Sequence, residues 1–257
     1  MAITTPAENG GYTADHLLGG RVSYQQPRDG FRAAIDPVLL AAAIPASPGQ
    51  RVLEGGTGAG AAMLCLAARV PGVIGVGVDK DPALLLLARA NAAANGWPDL
   101  NFIAADLTAS PVGPTSGGGI FDHAFANPPY HDPGGTPSPF GAREAAKRTG
   151  PGQLRIWIES LARPLRHRGT LTIILPPRLL EAAFGAMRDA RVPAECVFPI
   201  WTKEGQPAKL ILVLGRKHGR SPLILAPGLI LNTVTGTFRP EADAVLRGGA
   251  ALRLTGG

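Results

Sequence analysis

The tetrapeptide Asn127-Pro128-Pro129-Tyr130 carries the most specific chemistry in the sequence. It follows the apolar segment FDHAFA, which is typical of a buried strand. The two prolines have no N–H group, so they cannot continue a β-ladder, and the carbonyl of Pro128 is left as a hydrogen-bond acceptor. The side-chain oxygen of Asn127 is a second acceptor, and the Tyr130 ring offers a flat stacking surface. Together they predict a site that holds a planar NH₂ group.

An amino group held in this way is activated for methyl transfer. The lone pair of an adenine or glutamine amino nitrogen is delocalised, and hydrogen bonds to both N–H groups favour the more cationic form found in the transition state. In-line attack on a methyl sulfonium then needs mainly positioning, without a metal or a covalent intermediate. We assign Asn127, Pro128 and Tyr130 as catalytic residues, and Pro129 and His131 as substrate-binding residues.

The segment 54–60, with the sequence EGGTGAG, predicts a backbone loop that cradles a ligand. It follows a short apolar strand and precedes a helix, and its glycines allow a tight turn and close approach of a ligand. The spacing satisfies G-x-G-x-G and also the dinucleotide pattern G-x-G-x-x-A, so both ligand classes stay open at this point. The loop residues assigned to the ligand are Gly56, Thr57, Gly58 and Gly60.

Three acids stand at consecutive predicted strand ends beside this loop. Glu54 directly precedes the glycines, where it can face a cationic amine. Asp79 follows Gly60 by 19 residues, the spacing at which a carboxylate accepts hydrogen bonds from ribose hydroxyls. Asp106 is placed to reach an adenine amine, and Lys80 and Asn127 are assigned to the same pocket. The set predicts an adenosine with an ammonium-bearing tail, since little would hold a pyrophosphate beyond a helix N-terminus.

Apolar strands and amphipathic helices alternate along most of the chain. This alternation predicts an α/β fold with a doubly wound, mostly parallel sheet of seven strands that ends in an antiparallel hairpin. Such sheets bind ligands at the carboxyl ends of their strands, where the acids, the glycine loop and the tetrapeptide all fall. The predicted strands are 51–54, 73–79, 100–105, 121–126, 170–175, 195–201 and 209–214, and the predicted helices are 35–44, 61–68, 82–95, 154–166 and 179–189. Asp81 is predicted to cap the third of these helices, with Pro82 at its first position.

Composition divides the chain into three parts. Residues 1–34 are polar and Gly-rich and predict a loose N-terminal arm. Residues 35–220 hold the alternating elements, with a long loop over 131–150. Residues 221–257 are punctuated by Gly and Pro, and we expect them to cover the same domain with loops and a short helix after Pro240.

The bulk composition excludes several classes of protein. With 257 residues and 45% apolar residues, the chain can build a sizeable core. Its apolar runs are far shorter than the roughly 20 residues of a membrane span, and its start does not resemble a signal peptide. The two cysteines, Cys65 and Cys196, cannot form a disulfide framework or a zinc cluster, and the five histidines lack metal spacing. We expect a cytoplasmic protein without a metal; a monomer is favoured, with the oligomeric state open.

Positive charge is concentrated in the second half of the chain. Residues 1–140 hold 7 Lys/Arg and 11 Asp/Glu, a net charge of −4, whereas residues 141–257 hold 18 and 8, a net charge of +10. A half of the chain with this much positive charge favours a nucleic acid as partner. The alternative is an Arg-rich composition that serves no partner. Three clusters stand out: Arg143, Lys147 and Arg148, assigned to the substrate; Arg163, Arg166, His167 and Arg168 at a predicted helix end; and Arg216, Lys217, His218 and Arg220.

These motifs, taken with the segment QPRDGFRAAIDPVLLA at 26–41, resemble the class I S-adenosylmethionine-dependent methyltransferases that methylate amines. Within that class the chain is similar, over roughly residues 15–255, to the bacterial tRNA(Val) adenine-N6 methyltransferase family. The resemblance implies a Rossmann-like fold, S-adenosylmethionine as cofactor and tRNA as partner, with the target adenosine next to the anticodon.

The resemblance also implies a role for each assigned residue. Glu54 would hold the methionine end of the cofactor, Asp79 the ribose and Asp106 the adenine. Asp36 would help to close the pocket over the methionine end, and Asn127 would hold the target amine with Pro128 and Tyr130. The chain departs from the family in two places, since Glu54 replaces the more usual Asp and Gly55 replaces an apolar residue.

Other functions remain alternatives at this point. The tetrapeptide serves an amide equally well, so a protein glutamine N5 methyltransferase is possible, as is a methyltransferase for an rRNA base or a small molecule. An NAD-dependent oxidoreductase is allowed by the glycine pattern, but the tetrapeptide has no role in hydride transfer. A non-catalytic RNA-binding module would bind no cofactor.

Overall fold

A computed structural model describes residues 11–28, 35–109, 120–129 and 151–254 of the chain. In this part of the chain, seven long strands and two very short ones form one mixed sheet beside a separate two-stranded hairpin. The hairpin consists of β1 (Tyr12–Leu17) and β2 (Val22–Pro27). The sheet consists of β3 (Arg51–Gly55), β4 (Ile74–Asp79), β5 (Leu100–Ala104), β6 (Phe121–Ala126), β7 (Leu165–Leu175), β8 (Ala194–Trp201), β9 (Leu210–Arg216), β10 (Ile224–Leu225) and β11 (Leu229–Ile230).

The strand order confirms the predicted doubly wound sheet. It runs β10-β8-β9-β7-β6-β3-β4-β5, and β11 also pairs with β8. The strands from β5 to β7 are mutually parallel, whereas β9 is antiparallel to both of its neighbours, β7 and β8. The chain passes from β3 to β4 on one side and reaches β6 on the other, so the order reverses between β3 and β6.

Six helices in the described residues cover the two faces of the sheet. They are α1 (Asp36–Ala43), α2 (Ala61–Arg69), α3 (Pro82–Ala94), α4 (Pro151–Ala162), α5 (Leu180–Asp189) and α6 (Pro240–Leu246). Successive side chains of β3 point to opposite faces, so Val52 joins the cluster under α1, α2, α3 and α6 while Leu53 joins the cluster under α4 and α5. Each face therefore has its own apolar core.

The start of α3 shows how the sequence determines a helix boundary. Pro82 occupies the first turn, and the Asp81 carboxylate accepts hydrogen bonds from the backbone N–H groups of Ala83 and Leu84 at 2.9 and 3.4 Å. This N-cap satisfies two donors that have no partner within the helix. The predicted cap at Asp81 is confirmed.

Within the N-terminal arm, the described residues 11–28 are ordered, whereas the sequence predicted a loose segment. Residues 12–27 form the β1–β2 hairpin, and β2 alternates buried and exposed residues. The side chain of Asn91 on α3 holds the hairpin in place through two hydrogen bonds. Its amide oxygen accepts from Gln25 N at 2.8 Å, and its amide nitrogen donates to Gln25 O at 2.9 Å. Asn95 binds Ser23 in the same way. The prediction was wrong because these tertiary bonds come from α3, about 70 residues further along.

A second correction concerns the helix predicted over 154–166. The helix ends at Ala162, and β7 begins at Leu165. Pro164 explains the boundary, since proline has no N–H group and disfavours helical backbone in the residue before it. Arg166, His167 and Arg168 therefore lie at the start of a strand and not at a helix end.

The C-terminal segment packs on the sheet and on α1. The backbone N–H of Leu252 donates to Ala42 O at 2.8 Å, and the Cys196 thiol of β8 bonds to Leu254 O at 2.9 Å. The short helix predicted after Pro240 is α6.

A buried histidine ties β6 to its surroundings. His123 Nε2 lies 2.9 Å from Gln50 Oε1, which also accepts from Ser47 N, so Nε2 carries the proton. His123 Nδ1 then accepts from the Thr170 hydroxyl at 2.8 Å. Burial is the main cause that lowers the pKa of His123 to about 4, and the cationic groups Arg166, Arg216 and Arg69 add to it against the opposing effect of Asp122. The imidazole is therefore neutral at physiological pH.

We predict that His123 makes folding sensitive to mild acid. The unfolded chain binds a proton on His123 near the ordinary histidine pKa of 6.5 and the folded chain only near 4, so stability falls as the pH drops from about 6.5 to about 4. The loss is on the order of 3 kcal/mol at full effect. Urea unfolding at several pH values should show a shallower acid-side slope for His123→Asn than for the wild type; an unchanged slope would contradict the assignment.

Candidate functional site

The site lies at the carboxyl ends of β3 and β6, where the strand order reverses. The register of the two strands pairs Glu54 with Phe125 and Gly55 with Ala126. The next residues along, Gly56 and Asn127, therefore leave the sheet side by side. A reversal point of this kind forms a crevice, which is where open α/β sheets bind ligands.

The glycine loop adopts a conformation that its glycines permit. Gly56, Gly58 and Gly60 have φ values of +65°, +54° and +92°, in the left-handed region where a Cβ is disfavoured. A Cβ on Gly56 would lie 2.6 Å from the ring of Trp157, so α4 closes one side of the loop. A Cβ on Gly58 would meet no described atom within 4 Å, so this residue presents bare backbone to open space.

Glu54 is a fully buried acid at the base of the loop. Its Oε2 accepts a hydrogen bond from the Thr57 hydroxyl at 2.7 Å and from Met63 N, in the first turn of α2, at 3.2 Å. Burial raises the pKa of Glu54 to about 8, with a small contribution from Asp79, although both hydrogen bonds oppose the rise. The carboxyl is therefore mostly protonated at neutral pH while no cation faces it.

Asp79 is the last residue of β4, and Asp106 follows the end of β5. Asp79 Oδ2 accepts from Gly58 N at 2.9 Å and its Oδ1 from Asp81 N at 3.0 Å, so this side chain holds the loop in place. Asp106 Oδ1 accepts from the Thr108 hydroxyl and N–H at 2.7 and 2.8 Å. These bonds from Thr108 lower the pKa of Asp106, with a smaller contribution from nearby Lys80.

The tetrapeptide is described as far as Pro129. Asn127 lies directly after β6, and its side chain forms no hydrogen bond within the described residues. Pro128 is buried and Pro129 is exposed. The residues assigned to catalysis or to the substrate that lie outside the described residues are Tyr130, His131, Arg143, Lys147 and Arg148.

A cavity of about 160 Å³ joins the loop to the tetrapeptide. Of the predicted cofactor residues, Glu54, Gly56, Thr57, Gly58 and Asn127 line it. Asp36, Gly60, Asp79, Lys80 and Asp106 are not on its wall, although Pro37, next to Asp36, is. The volume is below the several hundred Å³ typical of pockets for drug-sized ligands, so the cavity is too small to enclose a whole nucleoside cofactor.

The cavity wall also contains residues that the sequence did not indicate as ligand-binding, notably Tyr24 and Asp81. Tyr24 lies on β2, and burial, followed by the charge of Glu54, raises the pKa of its phenol well above the usual range. It was missed because 1–34 was predicted to be loose, although the alternation of Val22, Tyr24 and Gln26 with polar neighbours is the pattern of a strand.

Asp36 lies at the start of α1, outside the cavity wall, and the charged residue that acts on it is Lys209. Burial raises the pKa of Asp36, while Lys209 opposes the rise. The Lys209 ammonium is therefore near enough to act on this carboxyl.

In the described part of the chain no helix has the length and apolar character needed to cross a bilayer. The same residues contain no group of three His, Cys, Asp or Glu side chains that could bind a metal ion.

Comparison with known proteins gives one family and a consistent set of relatives. Residues 34–149 match the family described as methyltransferase small domain. The chain is 28% identical over 193 residues to the tRNA1(Val) (adenine(37)-N6)-methyltransferase of Aeromonas hydrophila, covering 74% of this chain and 78% of that protein. It is 29% identical over 229 residues to the enzyme of the same name from Tolumonas auensis, covering 86% and 90%.

The solved structures support the same fold. A protein from Agrobacterium tumefaciens described as a predicted O-methyltransferase superimposes with a TM-score of 0.69 at 23% identity, covering 84% of this chain and 98% of that one. At this identity the likeness concerns the fold. The family matched over residues 34–149 and the relatives named as methyltransferases, together with the glycine loop and the fold, support an S-adenosylmethionine-dependent methyltransferase.

Proposed function

We propose that the protein transfers the methyl group of S-adenosylmethionine to the exocyclic N6 amine of an adenosine in tRNA, next to the anticodon. The observation that carries the proposal is the position of Asn127, which lines the same cavity as Glu54 and Gly58. The curated relatives named as tRNA1(Val) adenine(37)-N6 methyltransferases support the choice of substrate.

On the cofactor side, bound S-adenosylmethionine supplies a methyl group on a sulfonium that leaves as a neutral thioether. The chain contributes the bare backbone of Gly58 and the carboxyl of Glu54, which is placed to face the ammonium of the methionine end. Because Glu54 is buried, the attraction between carboxylate and ammonium is weakly screened. We assign Asp79, which accepts a hydrogen bond from Gly58 N, to the ribose hydroxyls.

On the substrate side, Asn127 and Pro128 provide two acceptors for one amino group. The side-chain oxygen of Asn127 and the carbonyl of Pro128 would each accept one N–H hydrogen, which turns the nitrogen lone pair towards the methyl group. Positive charge builds up on this nitrogen in the transition state, so acceptors placed in advance bind that state more tightly than the ground state. Tyr130 is assigned to stack on the base.

The proposal is tested by methyl transfer from labelled S-adenosylmethionine to total tRNA, rRNA, protein and DNA in parallel, followed by nucleoside analysis. We expect label in N6-methyladenosine of the tRNA fraction. Label only in protein would replace the proposal with glutamine methylation, and label only in rRNA would move it to another RNA.

We predict that Asn127→Ala lowers methyl transfer by about 10²-fold or more, the usual cost of losing one preorganised hydrogen-bonding group in a transition state. The affinity for S-adenosylmethionine should change little by comparison, because the loop and Glu54 are untouched. Single-turnover rates and calorimetric titration separate the two effects. The exposed Val234, which is not on the cavity wall, serves as control in Val234→Ala. Near-wild-type turnover of Asn127→Ala would contradict the mechanism.

We predict that cofactor binding releases a proton from Glu54. Its pKa of about 8 falls when an ammonium faces the carboxyl, so the proton leaves on binding. At about pH 6.5 the α-amino group of the free cofactor is still protonated, and calorimetry in buffers of different ionisation enthalpy counts the protons. Glu54→Gln should lose the release and bind more weakly. An equal release by this variant would assign the proton to another group.

We predict that Asp79→Ala weakens cofactor binding by roughly tenfold or more, the scale of a lost charge-assisted hydrogen bond. The turnover rate at saturating cofactor should be less affected, since Asp79 does not line the cavity beside Asn127. Asp79→Asn keeps an acceptor for Gly58 N, so its cofactor affinity should lie between those of the wild type and Asp79→Ala. Unchanged affinity in Asp79→Ala would exclude Asp79 from the cofactor site.

A further inference from the structure

A second, more open groove of about 470 Å³ lies at the opposite edge of the sheet, where β7 and β8 begin and β9 ends. Three turns that are far apart in sequence form it: the start of β7, the turn between α5 and β8, and the turn after β9. It brings together the second and third basic clusters of the sequence. Its wall includes Arg168, Arg191, Arg220, His167 and His218.

The three arginines of this groove keep an uncompensated positive charge. None of them forms an ion pair with an acid in the described part of the chain. Their neighbours differ, because Arg166 pairs with Asp122, and Arg216 pairs with Glu195 at 2.8 Å. The acids near this edge thus neutralise the flanking arginines and leave the groove cationic.

The two histidines add N–H groups to the same wall. The rings of His167 and His218 stack with their centres 5.6 Å apart. The pKa of His218 is lowered by partial desolvation and then by the positive charges of Lys217, His167 and Arg191. The groove is therefore a region of positive potential, which a bound anion would relieve.

The backbone of this groove is held in an unusual conformation. Four described non-glycine residues have a positive φ, and three of them line the groove: Arg168 (+60°), Arg191 (+61°) and His218 (+56°). Left-handed backbone costs energy for such residues and persists where the surroundings hold it. Here Arg168 N donates to Lys217 O at 3.1 Å and His218 N to Arg191 O at 2.8 Å, which ties the three turns together.

We propose that this groove binds phosphate groups of the RNA substrate at a site separate from the methyl-transfer site. Guanidinium groups match phosphate oxygens with paired N–H donors, and unpaired ones attract them most strongly. The inference rests on the proposed function for the identity of the RNA. The groove lies about 20 Å from Asn127, the length of a six-residue strand, so only a folded RNA larger than the target nucleotide reaches both.

The test compares tRNA binding by two triple variants. The groove variant is R168A/R191A/R220A, and the control R155A/R247A/R253A removes the same charge from exposed positions elsewhere. We expect the groove variant to lose at least tenfold in affinity, and the slope of log affinity against log salt to become shallower by about two to three. The control should stay near the wild type. Equal losses in both variants, or no loss in the groove variant, would overturn the inference.

Kinetics distinguishes this inference from the proposed function. In the groove variant, KM for tRNA should rise while kcat at saturating tRNA and the affinity for S-adenosylmethionine stay unchanged. An unchanged KM would overturn the proposal that the groove binds RNA phosphates and would leave the proposed methyl transfer to tRNA intact. If the wild type transfers no methyl group to tRNA but its tRNA binding still requires the groove, the function fails and the groove stands.

A last experiment distinguishes binding of RNA phosphates from binding of a free phosphate compound. In an NMR titration, tRNA should raise the pKa of His218 in the wild type, and inorganic phosphate at the same phosphate concentration should act more weakly. If inorganic phosphate shifts His218 as strongly as tRNA does, and the groove variant binds tRNA as tightly as the wild type, the groove is a small-anion site and the RNA assignment is overturned.

Discussion

The parallel register between β3 and β6 is the constraint on which the site depends. These strands are about 70 residues apart in sequence, yet Gly55 lies opposite Ala126, so the glycine loop and Asn127 leave the sheet together. Gly55 is also packed closely against side chains on the face of the sheet, since a Cβ on Gly55 would lie 2.7 Å from Leu107. An apolar side chain, which the sequence resemblance implied for this position, would require α4 and the loop after β5 to move. Glycine at position 55 is thus matched by the packing around it.

Electrostatics distinguishes Glu54 from the other two acids. Asp79 and Asp106 are bound to backbone N–H groups and remain partly exposed, which suits acceptors for neutral hydroxyl and amine groups. Glu54 is buried, and its pKa is raised from 4.5 to about 8, so between these pH values the folded protein retains a proton that the unfolded chain has already lost. A buried acid of this kind stabilises a cationic ligand, because ionisation is favourable only when the cation is present.

The sequence predicted what local pattern and spacing determine. The hydrophobic pattern and the turn residues predict the five parallel strands, the antiparallel β8–β9 hairpin and the cap at Asp81. The rule for strand ends predicts the clustering of Glu54, Gly58 and Asn127. The β1–β2 hairpin did not follow, because Asn91 and Asn95 fasten it from a distant helix. The cationic groove likewise depends on three separate turns meeting in space. Tyr130 and the basic residues at 143–148 remain predictions.

The assigned acids Glu54, Asp79 and Asp106 lie at one edge of the sheet, and the groove arginines lie at the other. Under the proposed function, the acids that hold a sulfonium and an ammonium would repel the phosphates of an RNA. Screening limits this repulsion to a Debye length of about 8–10 Å at physiological salt. Cations placed about 20 Å away can therefore bind phosphates without weakening the hold of the acids on the cofactor. Arg168, Arg191 and Arg220 occupy such positions, so affinity for the RNA and chemistry at the amine can be provided by separate edges of one sheet.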